Sequence, residues 1–163
     1  MKPVLLLASV FAALVLATPA SSSQSSGRLT IPRLHIWSMP IYYGWDTIDK
    51  GPFWDKQFDP RPGQGKPFVI GGHDITAVPG YGRHGPFYYL NTLRAGDLVQ
   101  IRWYGVVYKY RVRARAFYQP ESTASITLRG VEAVWFYTCW PRRTHNGRLW
   151  LEADRVGAAR APP

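Results

Sequence analysis

The chain has 163 residues, 46% of them hydrophobic and 15% aromatic, with 20 Lys and Arg against 10 Asp and Glu for a formal charge of +10. This composition excludes a disordered chain and suits one domain of ordinary size with a real core. A single cysteine excludes an internal disulfide framework, and 15 Gly with 14 Pro argue for short strands and many turns rather than long helices.

At the start, Lys2 precedes the apolar run PVLLLASVFAALVLA, and no further charge occurs until Arg28. That pattern predicts a secretory signal over residues 1–20, with a retained signal anchor as the alternative. The folded part is therefore expected outside the cytoplasm, at the outer face of the membrane or in the cell wall. On such a protein the positive charge favours anionic lipid or an acidic wall polymer, and no nucleic-acid partner is expected. SSSQSSG (21–27) reads as a flexible linker. The folded domain is expected over 28–157, with 158–163 as a tail.

RLTIPRLHIW (28–37) alternates imperfectly, and Pro32 suggests an edge or a strand start. MPIYY (39–43) is a short extended piece. Residues 44–65 are rich in turn formers and predict irregular structure with at most one helical turn. KPFVIGGH (66–73) reads as a buried strand ending at two glycines. Residues 85–93 predict a short helix or turn, and RAGD (94–97) a tight turn. Residues 98–105 and 106–118 predict a hairpin around Tyr104–Gly105. In its second strand, Tyr108, Tyr110, Val112, Ala114 and Ala116 share one face, and Lys109, Arg111, Arg113 and Arg115 a solvent face. A loop over 119–130 leads to strands at 131–139 and 148–156. The fold class is mainly β, as a closed or nearly closed barrel.

Cys139 ends one of these last strands and Arg148 opens the other, joined by WPRRTHNG. As a hairpin they oppose each other, with Cβ atoms about 5 Å apart. A guanidinium there favours the thiolate and offers donors to a developing oxyanion. The plainer alternatives are a buried or intermolecular cysteine and a rim salt bridge from Arg148 to Glu152. Among proton partners, His35 lies inside an early strand, His84 in a glycine-rich loop and His145 at a turn tip. His73 ends a buried strand after Gly71 and Gly72, where a rigid sheet presents side chains to a cleft, and it is preferred over His145.

In this order, VIGGHD (69–74), LNTLRAGDLVQI (90–101), FYTC (136–139) and RLWL (148–151) resemble the sortases, extracellular cysteine transpeptidases of bacterial surfaces. The resemblance covers residues 28–156. It implies a closed barrel of about eight strands, with short helices and loops. Cys139 takes the place of the nucleophile, His73 of its acid–base partner and Arg148 of the arginine that steadies substrate and oxyanion. Thr138 matches the threonine beside the nucleophile, and Thr138 and Trp140 are the implied substrate contacts. Phe136, Trp140 and Asp74 depart from the usual residues. The resemblance implies no cofactor and no metal. The expected partners are sorting-signal peptides cut at a Thr-Gly-like bond and an amine acceptor such as wall peptide, handled by a monomer. Two other readings stand beside it. One is a different wall cysteine transpeptidase, whose Ser/Thr-His-Gly-Cys run FYTCW lacks. The other is a non-enzymatic wall-binding β module.

Overall fold

A computed structural model describes residues 27–58, 60–76, 83–118, 130–144 and 146–161. Eight strands close into one barrel: β1 (Gly27–Ile31), β2 (Ile36–Tyr43), β3 (Phe53–Trp54), β4 (Phe68–Gly71), β5 (Leu98–Trp103), β6 (Val106–Tyr118), β7 (Ala133–Cys139) and β8 (Arg148–Arg160). Around the barrel they run β1-β2-β3-β4-β7-β8-β6-β5, and β5 returns to β1. Among the described residues every strand of the barrel pairs on both sides.

The interior follows from the period of two. Leu29 and Ile31, Phe68 and Ile70, Val99 and Ile101, Val134 and Phe136, and Leu149 and Leu151 are all buried in one core. A second, smaller cluster lies outside the wall, where Val69, Trp135 and Trp150 are buried under Phe58 and Tyr137. The sheet is thus covered on both faces along β4, β7 and β8, which explains why their sequences read as nearly continuous apolar runs.

Several expectations need correction. Pro32 does not start a strand: Pro32–Leu34 form a 3-10 turn between β1 and β2. His35 closes that turn in the left-handed region (φ 54) and is exposed, so it does not lie inside a strand. The 44–65 stretch holds a 3-10 turn at Trp45–Lys50 and also β3, whose two residues are too few for periodicity to reveal. Gly27 belongs to β1 rather than to the linker, and β8 continues to Arg160, past the expected end of the domain. The hairpin at Tyr104–Gly105 forms as expected, with both residues at positive φ (43 and 73). The arginine face of β6 is interrupted. A bulge at Arg113 shifts the register against β8, and beyond it Arg115 opposes Leu151 and Phe117 opposes Leu149. The faces of the strand exchange there. Arg113 turns to buried Glu152. The expected loop at 119–130 lies mostly outside the described residues, as do residues 1–26.

Candidate active site

Two strand registers assemble the site. β4 runs parallel to β7 with Gly71 level with Tyr137, and the Gly72 N–H continues the ladder to the Tyr137 carbonyl at 3.1 Å. His73 follows two residues past Gly71, next to the end of β7 that carries Cys139. β7 runs antiparallel to β8, and its last pair is Cys139 opposite Arg148. The three side chains come from one end of three adjacent strands. Along β7, Val134, Phe136 and Thr138 face the interior, while Trp135, Tyr137 and Cys139 face outward. The Cys139 sulfur is thus on the outer wall, half-buried.

The glycines before His73 have a packing reason. A Cβ on Gly71 would meet the rings of Phe53 and Tyr137 at 2.4 and 2.6 Å. Those rings meet edge to face with centroids 6.0 Å apart. A Cβ on Gly85 would lie 2.4 Å from the His73 carbonyl oxygen. The segment after residue 83 therefore runs directly against the strand end, and Phe87 N–H donates to that same oxygen at 3.0 Å.

His73 Nε2 lies 3.1 Å from Asp49 Oδ1 at the end of the 45–50 turn. Neither the periodicity nor the spacing of residues 44–65 pointed to Asp49. Arg148 donates from Nη1 to the neighbouring Gly147 carbonyl at 3.0 Å. Burial pushes the Cys139 thiol above its ordinary pKa; Arg148 pulls it down and Asp74 pushes it up. Asp74 is buried, 3% exposed, and its Oδ2 accepts the Arg143 N–H at 2.9 Å. Arg143 stands at positive φ (65), so this contact fixes a turn of the β7–β8 loop.

That loop is held at a second point. Arg142 donates to the Tyr88 carbonyl (3.0 Å) and Asn91 Oδ1 (2.6 Å), and its guanidinium lies 4.3 Å from the Tyr88 ring centroid. His84 stacks on that ring at 3.9 Å. The Trp140 N–H closes the base of the loop on the Gly147 carbonyl at 3.0 Å. The loop arginines are therefore anchored rather than loosely placed.

Thr138 is buried and Trp140 half-buried. Thr138 is 2% exposed, faces the interior opposite Leu149, and its hydroxyl has no hydrogen-bond partner among the described residues. Trp140 packs against the main core and on Phe117, with ring centroids 5.4 Å apart. His145 lies outside the described residues. Beside Arg148 on the outer wall is a cleft of about 240 Å³, lined by Trp45, Asp55, Gln57, Phe58, Tyr137, Arg148 and Trp150. Tyr137 donates its hydroxyl to Asp55 across it at 3.2 Å. The cleft joins residues from the 45–58 region to β7 and β8, and only the three-dimensional fold brings them together.

A family model, the sortase domain, matches residues 29–156. Among solved structures, sortase C-1 from Actinomyces oris is 26% identical, with a TM-score of 0.71 over 82% of this chain and 74% of that one. A lid mutant of sortase A from Corynebacterium diphtheriae is 25% identical, with a TM-score of 0.72 over 84% and 73%. Sortase E1 from Streptomyces coelicolor, solved with a tripeptide in its active site, shares the fold at 22% identity, with a TM-score of 0.72 over 85% and 91%. Comparison with curated proteins gives no match.

Proposed function

The chain belongs to the sortase family of cysteine transpeptidases, and from that premise we propose that it cleaves a Thr-Gly-like bond in a sorting peptide through a thioacyl enzyme on Cys139. The observation that supports this reading is the β7–β8 register that sets Cys139 opposite Arg148, with His73 two residues past the end of the neighbouring β4. In the resting protein the raised thiol pKa keeps Cys139 mainly protonated. Its proton passes to His73 as the sulfur attacks the peptide carbonyl. Arg148 donates to the oxyanion of the tetrahedral intermediate. His73, now imidazolium and held by Asp49, gives its proton to the leaving amine, and the C–N bond breaks. An acceptor amine, such as that of a wall peptide, or water then attacks the thioester and regenerates the thiol.

The cleft beside Arg148, with aromatic walls and one carboxylate, supplies the concave surface that such a peptide requires. Residues 1–20 act as a secretory signal or a retained anchor, and the barrel works at the outer face of the membrane. The test is mass spectrometry of the protein after incubation with a library of sorting-type peptides and an added amine. A peptide-sized adduct on Cys139 and an amine-capped product are expected from the wild type, and neither from Cys139→Ala. Peptide cleavage retained by Cys139→Ala would remove the nucleophile and the reading with it.

A further inference from the structure

The barrel has a second end. There the Tyr104–Gly105 tip, the start of β1 and the finish of β8 come together: Arg160 pairs with Val106, and the Ala161 N–H donates to the Gly105 carbonyl at 2.7 Å. A Cβ on Gly27 would touch the Trp103 ring and the Arg102 carbonyl within 3 Å, so the chain enters the barrel beside this tip. β1, β5 and β6 contain no Asp or Glu, and Arg28, Arg102, Lys109 and Arg160 around this end are all exposed. Tyr104 at the tip is 86% exposed.

One pair is unfavourable for the fold itself. Arg28 of β1 lies directly opposite Arg102 of β5 on the outer face. Like charges in that relation oppose sheet pairing. Arg28 turns its guanidinium to the Ser38 carbonyl, and no carboxylate pairs with either arginine among the described residues. β1 and β5 stand across the barrel from the β4–β7 seam, and β8 separates Arg148 from Arg160 by its full thirteen residues. At about 3.3 Å per residue that is roughly 40 Å along the strand.

We infer that this basic end, with Arg28, Arg102, Lys109, Arg160 and the Tyr104 tip, docks the barrel on an anionic lipid surface and holds the thiol at the far end, away from it. The inference rests on the outer-membrane-face reading above. The sequence supports lipid over a soluble polyanion. The apolar run, where it is retained as an anchor, is joined to β1 by TPASSSQSS (18–26), which spans at most about 30 Å. Electrostatic attraction reaches only about 8–10 Å at cellular salt, so a short tether to the same surface is what makes it effective. Basic residues near an anionic bilayer and an aromatic side chain at its interface are the matching chemistry.

All eight strands and the described core lie between Gly27 and Arg160, so residues 27–163 carry the complete barrel without the apolar run. The test is cosedimentation of that barrel with vesicles of phosphatidylcholine alone or with about one-third phosphatidylglycerol, and with isolated wall sacculi. Binding is expected to the anionic vesicles only, and to weaken as salt is raised. Arg102→Glu should reduce it about tenfold or more, since each basic residue near the surface counts. Arg94→Glu, with the same charge change at an exposed site away from this end, should reduce it less than about twofold. Equal losses in the two variants, or no binding to anionic vesicles at low salt, would overturn the docking surface. Arg102-dependent binding to sacculi rather than vesicles would overturn the lipid. Peptide cleavage is measured separately, so an inactive barrel that still binds vesicles would count against the transpeptidase reading alone.

Discussion

In the proposed mechanism His73 carries the proton traffic, and its ring Nε2 lies against Asp49. Asp49 is largely exposed, and a surface ion pair contributes little on its own. His73→Ala should therefore lower cleavage of a fluorogenic sorting peptide by about 100-fold or more, in line with lost acid–base catalysis. Asp49→Asn should cost only a few-fold, and an Asp49 effect as large as that of His73 would make the pair one catalytic unit. Arg148→Lys replaces a planar fork with a point charge. It should lower kcat with little change in KM, by up to the roughly 3 kcal/mol of a lost oxyanion donor. A loss carried by KM would assign Arg148 to peptide binding instead. Asp74 opposes Arg148 at the thiol, since its buried carboxylate raises the Cys139 pKa. Asp74→Asn keeps an acceptor for the Arg143 N–H and removes the charge. The pH midpoint of Cys139 alkylation by iodoacetamide should accordingly move down. A midpoint that stays put or rises would mean that Asp74 serves only to fasten the loop.

The β7–β8 loop is the element on which these side chains depend. Arg142 ties it to Tyr88 and Asn91, and Asp74 ties it to the end of β4. Arg142→Ala removes the first tie without touching the reacting groups. Turnover should fall about tenfold or more, because small displacements of positioned groups are costly, while alkylation of Cys139 continues. Unchanged turnover would show that the Asp74 tie suffices. The strand ends that carry the proposed site residues were legible in the sequence because the strands are strongly patterned: the apolar FVI before Gly71 and the paired runs of β7 and β8. The supports of the site were not. Asp49 follows a turn-rich stretch with no period, β3 has two residues, and Arg142 finds Tyr88 only after the segment from residue 83 folds back on His73. The exchange of faces along β6 was hidden for a different reason. Arg113 keeps the alternation intact in sequence, and only its salt bridge to Glu152 draws an extra residue out of the ladder. Thr138 was legible in a simpler way, since the residue next to Cys139 on a strand points to the opposite face of β7.

At the scale of the whole molecule, the barrel wall buries phenols on both of its faces. Tyr110 points into the core and donates to Glu132 at 2.9 Å; Tyr137 lies outside it and donates to Asp55. Burial raises the pKa of each well above the ordinary tyrosine value, and the neighbouring carboxylate raises it further. The sign of the linkage follows from proton counting. Below about pH 10 the phenols are protonated in both folded and unfolded chains and add no pH dependence. Above it the unfolded chain releases their protons and the folded chain keeps them, so stability falls as pH rises. Each group contributes a slope of up to about 1.4 kcal/mol per pH unit, and the two together about 2.7. A domain holding about 5 kcal/mol would lose it roughly two units above the normal phenol range. Glu132 makes the effect global, because it also accepts the Gly63 and Gly65 N–H groups and the Arg155 guanidinium, joining the loop before β4 to β6, β7 and β8. An alkaline titration followed by tyrosinate absorbance and circular dichroism should therefore show a late group of phenols that ionises together with loss of the β signal. Tyr110→Phe should shallow the fall of stability above about pH 10, at the cost of one buried hydrogen bond near neutrality. If all ten tyrosines ionised at ordinary pH while the β signal persisted, the wall would be open enough to admit water, and the buried Tyr110–Glu132 pair could not be what locks the barrel.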